Sequence, residues 1–292
     1  MRPSGPRANL RAAARFRDDG SRAMSGFTEA QSGLVFHELS HEWGHGAPSL
    51  PGFDDVVMYR SVKHGQHGVM AHRMRMVMHS GTHLNAPIHL IQRGIGVGDI
   101  ALEQLVGNGV IVSIPKDRWE LVTPADLEAA TPEISEGDLV VLVTGWHKKY
   151  SDSLEYFGDS PGLSLEAAEW LVAKGVGLVA MDTPQIDHPL ATSLGPHRGG
   201  PLMNRLIAKY QDATGLDPRK EHPVWNGAHK VLLGAGIPTI EQVGGDVEDM
   251  LGKSAFLHAA PWYWAEGDAC PVRLVAICDP GGSYRIDAGV EA

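Results

Sequence analysis

Residues 79–89 read His-Ser-Gly-Thr-His-Leu-Asn-Ala-Pro-Ile-His, which places three histidines within eleven residues of a 292-residue chain. Gly81 and Pro87 favour a loop here over a helix. Imidazole is a common ligand of zinc, manganese and iron. A loop that turns around an ion would bring His79 and His83 together, and Asn85 adds a neutral oxygen ligand. The spacing therefore predicts a divalent metal site, against the alternative of loop histidines that bind no ion.

His89 lies six residues beyond His83, outside the compact group of candidate ligands. A histidine close to an ion but not bound to it is suited to moving protons during a reaction. We therefore interpret His89 as a candidate general acid or base.

The stretch resembles the metal-binding signature His-x-Gly-Thr-His-x-Asp-x-Pro-x-His of the cyclase superfamily of metal-dependent hydrolases. That superfamily includes bacterial kynurenine formamidase, isatin hydrolase and a cyclase-type lactamase. One position departs from the signature, because Asn85 stands where the family has Asp. Further stretches similar to family motifs are residues 38–41, 51–52, 144–146, 161–164, 181–184, 229–233 with Glu241, and 271–273. The resemblance extends over about residues 34–280.

The resemblance implies roles for particular residues. The first-ion positions of the family fall on His79, His83 and Asn85, and the second-ion positions fall on His229 and Glu241. His89 takes the general acid/base position. The implied fold is α/β, a single compact mixed β/α domain of the swivelling β/β/α type. The implied assembly is a homodimer or homotetramer.

Asn85 bears on the number of ions. An amide offers one good acceptor oxygen and no charge, whereas a carboxylate could bind two cations and offset part of their repulsion. We therefore expect one divalent ion, Zn or Mn, in preference to two.

Three further residues are candidates for substrate binding. His41 and Trp43 lie in the early loop from which family members draw substrate contacts, although a partly buried aromatic side chain at a turn is an equal alternative. Asp182 follows a predicted strand, where site residues of α/β proteins are common, but it could equally cap a turn.

The coarse pattern is a mixture of strands and helices. Short apolar runs predict strands at residues 110–114, 139–143, 177–182, 255–260 and 271–278. Alternation over residues 69–79 predicts a strand with one buried face, so that the methionines from Met70 to Met78 would pack in the core or at an interface. Ser164 predicts the start of a helix over 165–173, and a second helix fits 226–233. A long Pro/Gly-rich stretch over 184–222 lies between these helices.

The composition sets further limits. Residues 1–25 are predicted to be a disordered basic arm, and residues 26–292 to be one hydrolase domain. The formal net charge of −10 argues against nucleic acid as the partner, and no apolar run is long enough for a membrane helix. Two cysteines in no C-x-x-C pair favour a reduced, cytoplasmic protein. The absence of a G-x-S-x-G elbow argues against serine-nucleophile chemistry.

The candidate metal site predicts a metal-dependent reaction, and the family resemblance implies a hydrolase that cleaves the C–N bond of a small cyclic or N-acyl amide. An isatin-like ring, a lactam and an N-formyl aryl amine are the candidates, and the long 184–222 segment departs from the compact formamidases. A lactonase or dehydratase on the same metal site is one alternative. A metal-dependent binding protein without catalysis is the other.

Overall fold

The computed structural model describes residues 26–192 and 203–283, so the predicted basic arm at 1–25 lies outside the described residues. The strands in these ranges are β1 Phe27–Thr28, β2 Val35–Glu38, β3 Val57–Val62, β4 Ala71–Arg75, β5 His83–Asn85, β6 Val106–Ser113, β7 Leu121–Val122, β8 Leu139–Val143, β9 Gly162–Leu163, β10 Leu178–Met181, β11 Thr239–Glu241, β12 Lys253–His258, β13 Ala269–Pro271 and β14 Val275–Cys278. The helices are α1 His64–His67, α2 Pro124–Glu128, α3 Leu154–Gly158, α4 Leu165–Lys174, α5 Met203–Thr214, α6 Pro218–Glu221 and α7 Gly227–Gly234. No helix of the described ranges has the length and apolar character needed to cross a membrane.

A ten-stranded mixed sheet forms the centre, in the order β1-β2-β14-β12-β6-β8-β10-β11-β5-β13. The neighbours β6, β8, β10 and β11 run parallel, and the other pairs are antiparallel. Strand β8 has an apolar sequence throughout because both of its faces are buried. Leu139 and Val141 enter one hydrophobic cluster, whereas Val140 and Leu142 enter a second cluster on the opposite face. A strand buried on both faces needs no polar positions.

The sheet curls, and the chain joins strands near its two edges at one junction. β13 is an edge strand and β14 lies near the other edge, yet only residues 272–274 separate them in the chain. Two hydrogen bonds accompany this junction, from the Leu39 N–H to the Leu274 carbonyl and from the Val272 N–H to the Thr82 carbonyl. The predicted α/β class and the single mixed β/α domain are confirmed in the described residues.

Strand pairing places the motif of residues 79–89 at the junction. β5 pairs with β11 on one side and with β13 on the other. His83 lies opposite Glu241 on β11, and Asn85 lies opposite Ala269 on β13. The register therefore brings Glu241 to the motif although 158 residues separate it from His83 in the chain.

Helices α4 and α7 follow the predicted boundaries closely. The Ser164 hydroxyl accepts a hydrogen bond from the Ala167 N–H at the start of α4, and Gly175 ends that helix with a left-handed φ of 76°. Such a φ favours glycine because it has no Cβ. α7 packs against α4 and carries His229.

Three elements differ from the prediction. The strand predicted at 271–278 is interrupted at residues 272–274 and corresponds to the end of β13 and to β14. Strand β4 is shorter than predicted and pairs only with β3, so all five of its residues are exposed. The expected core position of Met70 and Met74 is wrong, because both are more than 40% exposed; the interface alternative stays a prediction. Helix α5 lies within the Pro/Gly-rich stretch and was not predicted. Its Leu206 and Tyr210 are buried in a third cluster that includes Trp146.

Candidate metal centre

Five of the six predicted metal and proton-transfer residues line one cavity of about 450 Å³, whereas Asn85 is fully buried and is not part of the lining. The histidines of this lining are His79, His83, His89 and His229, and Glu241 lies beside them. The rest of the wall combines apolar side chains, among them Leu50, Phe53, Leu90 and Trp225, with polar ones, among them Gln185, Thr192, Asn226 and Gln242. The cavity therefore has a polar, ligand-rich floor and a wall of mixed character.

His83, His229 and Glu241 form the buried part of the floor. The His83 Nε2 atom lies 3.2 Å from Glu241 Oε2, and the His229 Nδ1 atom lies 3.8 Å from Glu241 Oε1. The carboxylate of Glu241 therefore faces imidazole nitrogens with both of its oxygens.

The backbone decides which nitrogen of His83 faces the cavity. Nδ1 lies 2.8 Å from the Gly81 carbonyl, which only accepts hydrogen bonds, so Nδ1 carries the proton. In a neutral ring Nε2 then keeps its lone pair. This Nε2 atom is buried and makes no hydrogen bond within the described residues. A lone pair beside a carboxylate fits a cation bound between them.

Asn85 is buried next to this set. Its Nδ2 lies 3.4 Å from both His229 Nε2 and Thr239 Oγ1, and its Oδ1 is buried without a hydrogen-bond partner in the described ranges. A buried polar atom left unpaired costs about 1–3 kcal/mol. Coordination of a divalent ion by this oxygen would remove that cost, so Asn85 also fits a ligand position.

Asp268 joins two of the motif histidines and was not predicted. Its Oδ2 lies 3.1 Å from His79 Nε2 and 4.0 Å from His89 Nδ1. The hydrogen bond from His79 lowers the pKa of Asp268 to about 2, against the effect of partial burial. Asp268 directly precedes β13, close to the 271–273 motif, but no spacing pattern in the sequence relates it to His79.

His89 ends a single 3₁₀ turn over Pro87–His89. Burial lowers its pKa to about 3, and the nearby His79 and His229 rings act in the same direction. The ring is therefore neutral at physiological pH. Its centroid lies 4.2 Å from that of His79 and 5.7 Å from that of His229, so it borders both parts of the floor.

Asp187 holds the start of α7. Asn226, the residue before the helix, has a left-handed φ of 47° and makes no side-chain cap. Asp187 replaces that cap from another segment, because its two oxygens accept the N–H groups of Ala228 (2.9 Å) and His229 (3.3 Å). Burial raises the pKa of Asp187 to about 7. This carboxylate, which was not predicted, fixes the backbone of His229.

The three predicted substrate-binding residues lie outside the cavity lining. His41 stacks on Tyr150 with ring centroids 3.6 Å apart. Trp43 covers Gly81, where an added Cβ would lie 2.8 Å from the indole. Asp182 is fully buried and accepts hydrogen bonds from Thr144, Gly145 and His147. For Asp182 the geometry matches the turn-cap alternative.

Comparison with known proteins identifies the family. The family model described as "Putative cyclase" matches residues 37–188, which is just over half of the chain. The chain belongs to the cyclase family. Membership of the cyclase family was predicted from the motif of residues 79–89 and is confirmed.

Individual members of the cyclase family show the same relationship. Kynurenine formamidase of Bacillus cereus is 29% identical over 204 residues, which cover 70% of this chain and 78% of the relative. An isatin hydrolase bound to the product analogue thioisatinate has a TM-score of 0.67 at 20% identity, covering 84% of this chain and 92% of that chain. A structure described as a potential metal-dependent hydrolase with cyclase activity has a TM-score of 0.60 at 20% identity, covering 84% and 98%. At these identities the two structures establish a shared fold.

Proposed function

We propose that this member of the cyclase family is a metal-dependent hydrolase that cleaves the C–N bond of a small, non-peptide amide. The observation that carries the proposal is the set of His83, His229 and Glu241 on the floor of a cavity, with Asn85 buried beside His229. It combines imidazole, amide and carboxylate donors, which suit Zn or Mn. The relative from Bacillus cereus is a formamidase, which supports amide hydrolysis as the reaction class.

A divalent ion in this site would supply Lewis acidity, which activates water and polarises a carbonyl group. The protein's own contribution is positional. Glu241 supplies the negative charge of the floor, and its Oε1 is held by the Ile186 N–H at 3.1 Å. His89 is neutral and borders the floor, so it is placed to take a proton from water and deliver it to the leaving nitrogen.

The cavity wall supports an apolar, aromatic or cyclic amide as the substrate class. Phe53 and Trp225 offer aromatic faces beside the ligand set. Gln185 adds one polar feature, because its Nε2 donates to the Phe157 carbonyl and so leaves its buried Oε1 without a hydrogen-bond partner among the described residues. An acceptor of this kind favours a substrate that carries an N–H group.

We also propose that the protein acts as a homodimer or homotetramer in the cytoplasm. The β3–β4 hairpin supports an oligomer, because Tyr59, Met70 and Met74 are exposed on it. Sedimentation velocity measures the assembly directly. A monomer at micromolar concentration would contradict this part of the proposal.

A substrate panel tests the reaction class. Purified protein is assayed with aryl formamides, lactams, isatin-like rings and lactones, before and after removal of metal with EDTA and after addition of Zn or Mn. We expect turnover of an amide that EDTA abolishes and metal restores. Turnover of lactones alone would favour the lactonase alternative, and the absence of turnover with every member would favour a binding protein.

A further inference from the structure

The contact with Asp268 indicates which ring nitrogen of His79 carries a proton. The Asp268 carboxylate only accepts hydrogen bonds, so the contact of 3.1 Å requires His79 to donate through Nε2. A neutral imidazole carries one proton, and the lone pair of His79 therefore resides on Nδ1. His83 has the opposite arrangement, because its Nδ1 donates to the Gly81 carbonyl at 2.8 Å. The two rings stand at 87° to each other.

Backbone pairing holds Asp268 in place independently of any ion. The Asp268 carbonyl accepts the Ala86 N–H at 2.9 Å, and the next residue, Ala269, pairs with Asn85 across β13 and β5. Pairing with β5, the strand that carries Asn85, therefore fixes the backbone position of Asp268 next to the metal site. Its side chain is half exposed, whereas those of His83 and Glu241 are buried.

We propose that Asp268 is a positioning residue, which holds His79 in the tautomer that offers Nδ1 to a divalent ion. This inference rests on the metal site of the proposed function, but not on its substrate. A carboxylate behind a ligating histidine fixes the ring orientation and raises the basicity of the ligand nitrogen. Losing such a partner costs about 10- to 100-fold in metal affinity.

Direct binding of an ion by Asp268 is the competing arrangement. The ligand atoms of His79, His89 and Asp268 lie within 4.8 Å of one another, so the three could surround a cation. His79 Nε2 would then have to lose the proton that it donates to Asp268. The contact of 3.1 Å meets the geometry of a direct hydrogen bond from His79 to Asp268, and a cation bound between the two atoms would replace that hydrogen bond.

The experiment combines imidazole NMR with zinc binding. Long-range ¹H–¹⁵N correlation spectra of the ¹⁵N-labelled full chain separate the two tautomers, and a His79→Ala sample assigns the signals. We expect His79 protonated on Nε2 and His83 on Nδ1 without zinc, and a zinc-induced shift at Nδ1 of His79. A zinc-induced shift at Nε2 of His79 would overturn the proposal.

Variants of Asp268 provide the second measurement, which is zinc affinity by calorimetry. We expect Asp268→Ala to weaken binding about 10- to 100-fold. Asp268→Asn should recover most of the affinity, because the amide oxygen still accepts the Nε2 proton. Glu103→Ala removes an exposed carboxylate elsewhere and should leave affinity unchanged. The proposal is refuted if Asp268→Ala binds like the unmodified chain, or if Asp268→Asn, folded by circular dichroism, loses as much affinity as Asp268→Ala.

Discussion

Asn85 is the residue at which this chain departs from the signature that its motif otherwise matches. It is fully buried beside His229 and contributes no charge. Two divalent ions held close together without a shared carboxylate repel each other strongly in a partly desolvated site. We therefore expect Asn85→Asp to raise the zinc or manganese stoichiometry from one toward two ions per chain. Equilibrium dialysis measures this, and two tightly bound ions in the unmodified protein would refute the argument.

Substitution of His89 tests whether this residue transfers protons or binds the metal ion. We expect His89→Gln to keep the bound ion and to lower turnover about 10²- to 10⁴-fold, because general acid–base groups contribute rate enhancements of that size. Metal content and turnover are measured on the same sample. Loss of the ion in His89→Gln would show that His89 is a ligand.

At the residue scale the sequence identified the histidines but not their partners. His79, His83 and His89 were recognisable because they are close in the chain and shaped by Gly81 and Pro87. Asp268 contacts His79 and His89, and Asp187 contacts the backbone of His229, each from a distant segment of the chain. Local spacing carries no information on contacts of this kind.

Asp182 connects two secondary-structure elements through hydrogen bonds of its buried carboxylate. Its carboxylate joins the end of β10 to the turn after β8, with Thr144 Oγ1 at 2.7 Å and His147 Nδ1 at 2.9 Å. Breaking a fully buried charged network costs about 3–5 kcal/mol. We expect Asp182→Ala to lower the free energy of unfolding in urea by about that amount. Asp212→Ala, on the exposed side of α5, is the matched control and should change it by less than about 0.5 kcal/mol.

The outcome of Asp182→Ala also separates the two alternatives raised by the sequence. A turn cap predicts a loss of stability. A substrate-binding residue predicts unchanged stability with impaired turnover, and that result would contradict the structural role inferred from the geometry.

Local signals predicted α4 but were overlooked for α5. α4 has a serine cap, a helical apolar face and a terminal glycine. α5 has apolar residues at helical spacing (Leu206, Ile207 and Tyr210), but the Pro and Gly residues around it favoured the prediction of a loop. Its buried positions pack on Trp146 and Tyr156, far away in the chain. The alternation of β4 predicted the strand correctly. It did not reveal that β4 joins a separate two-stranded sheet with both faces exposed.

At the scale of the whole molecule, the curled sheet creates the site. β5 lies between β11 and β13, so residues from three distant parts of the chain reach one cavity.

Residues 1–24 hold six arginines and no apolar periodicity that would contribute to a core. We expect their removal to leave the melting temperature and the activity unchanged. A marked fall in either, measured by scanning calorimetry and the substrate assay, would contradict the prediction of a separate arm.

Metal stoichiometry tests directly whether the buried histidines and Glu241 bind a divalent ion. Protein purified without chelator is dialysed against Zn or Mn and analysed by inductively coupled plasma mass spectrometry, alongside His83→Ala. The exposed His72 on β4 provides the control, His72→Ala. We expect one divalent ion per chain in the unmodified protein and in His72→Ala, and little in His83→Ala. An unmodified protein that holds no ion, or equal ion content in both variants, would contradict this expectation.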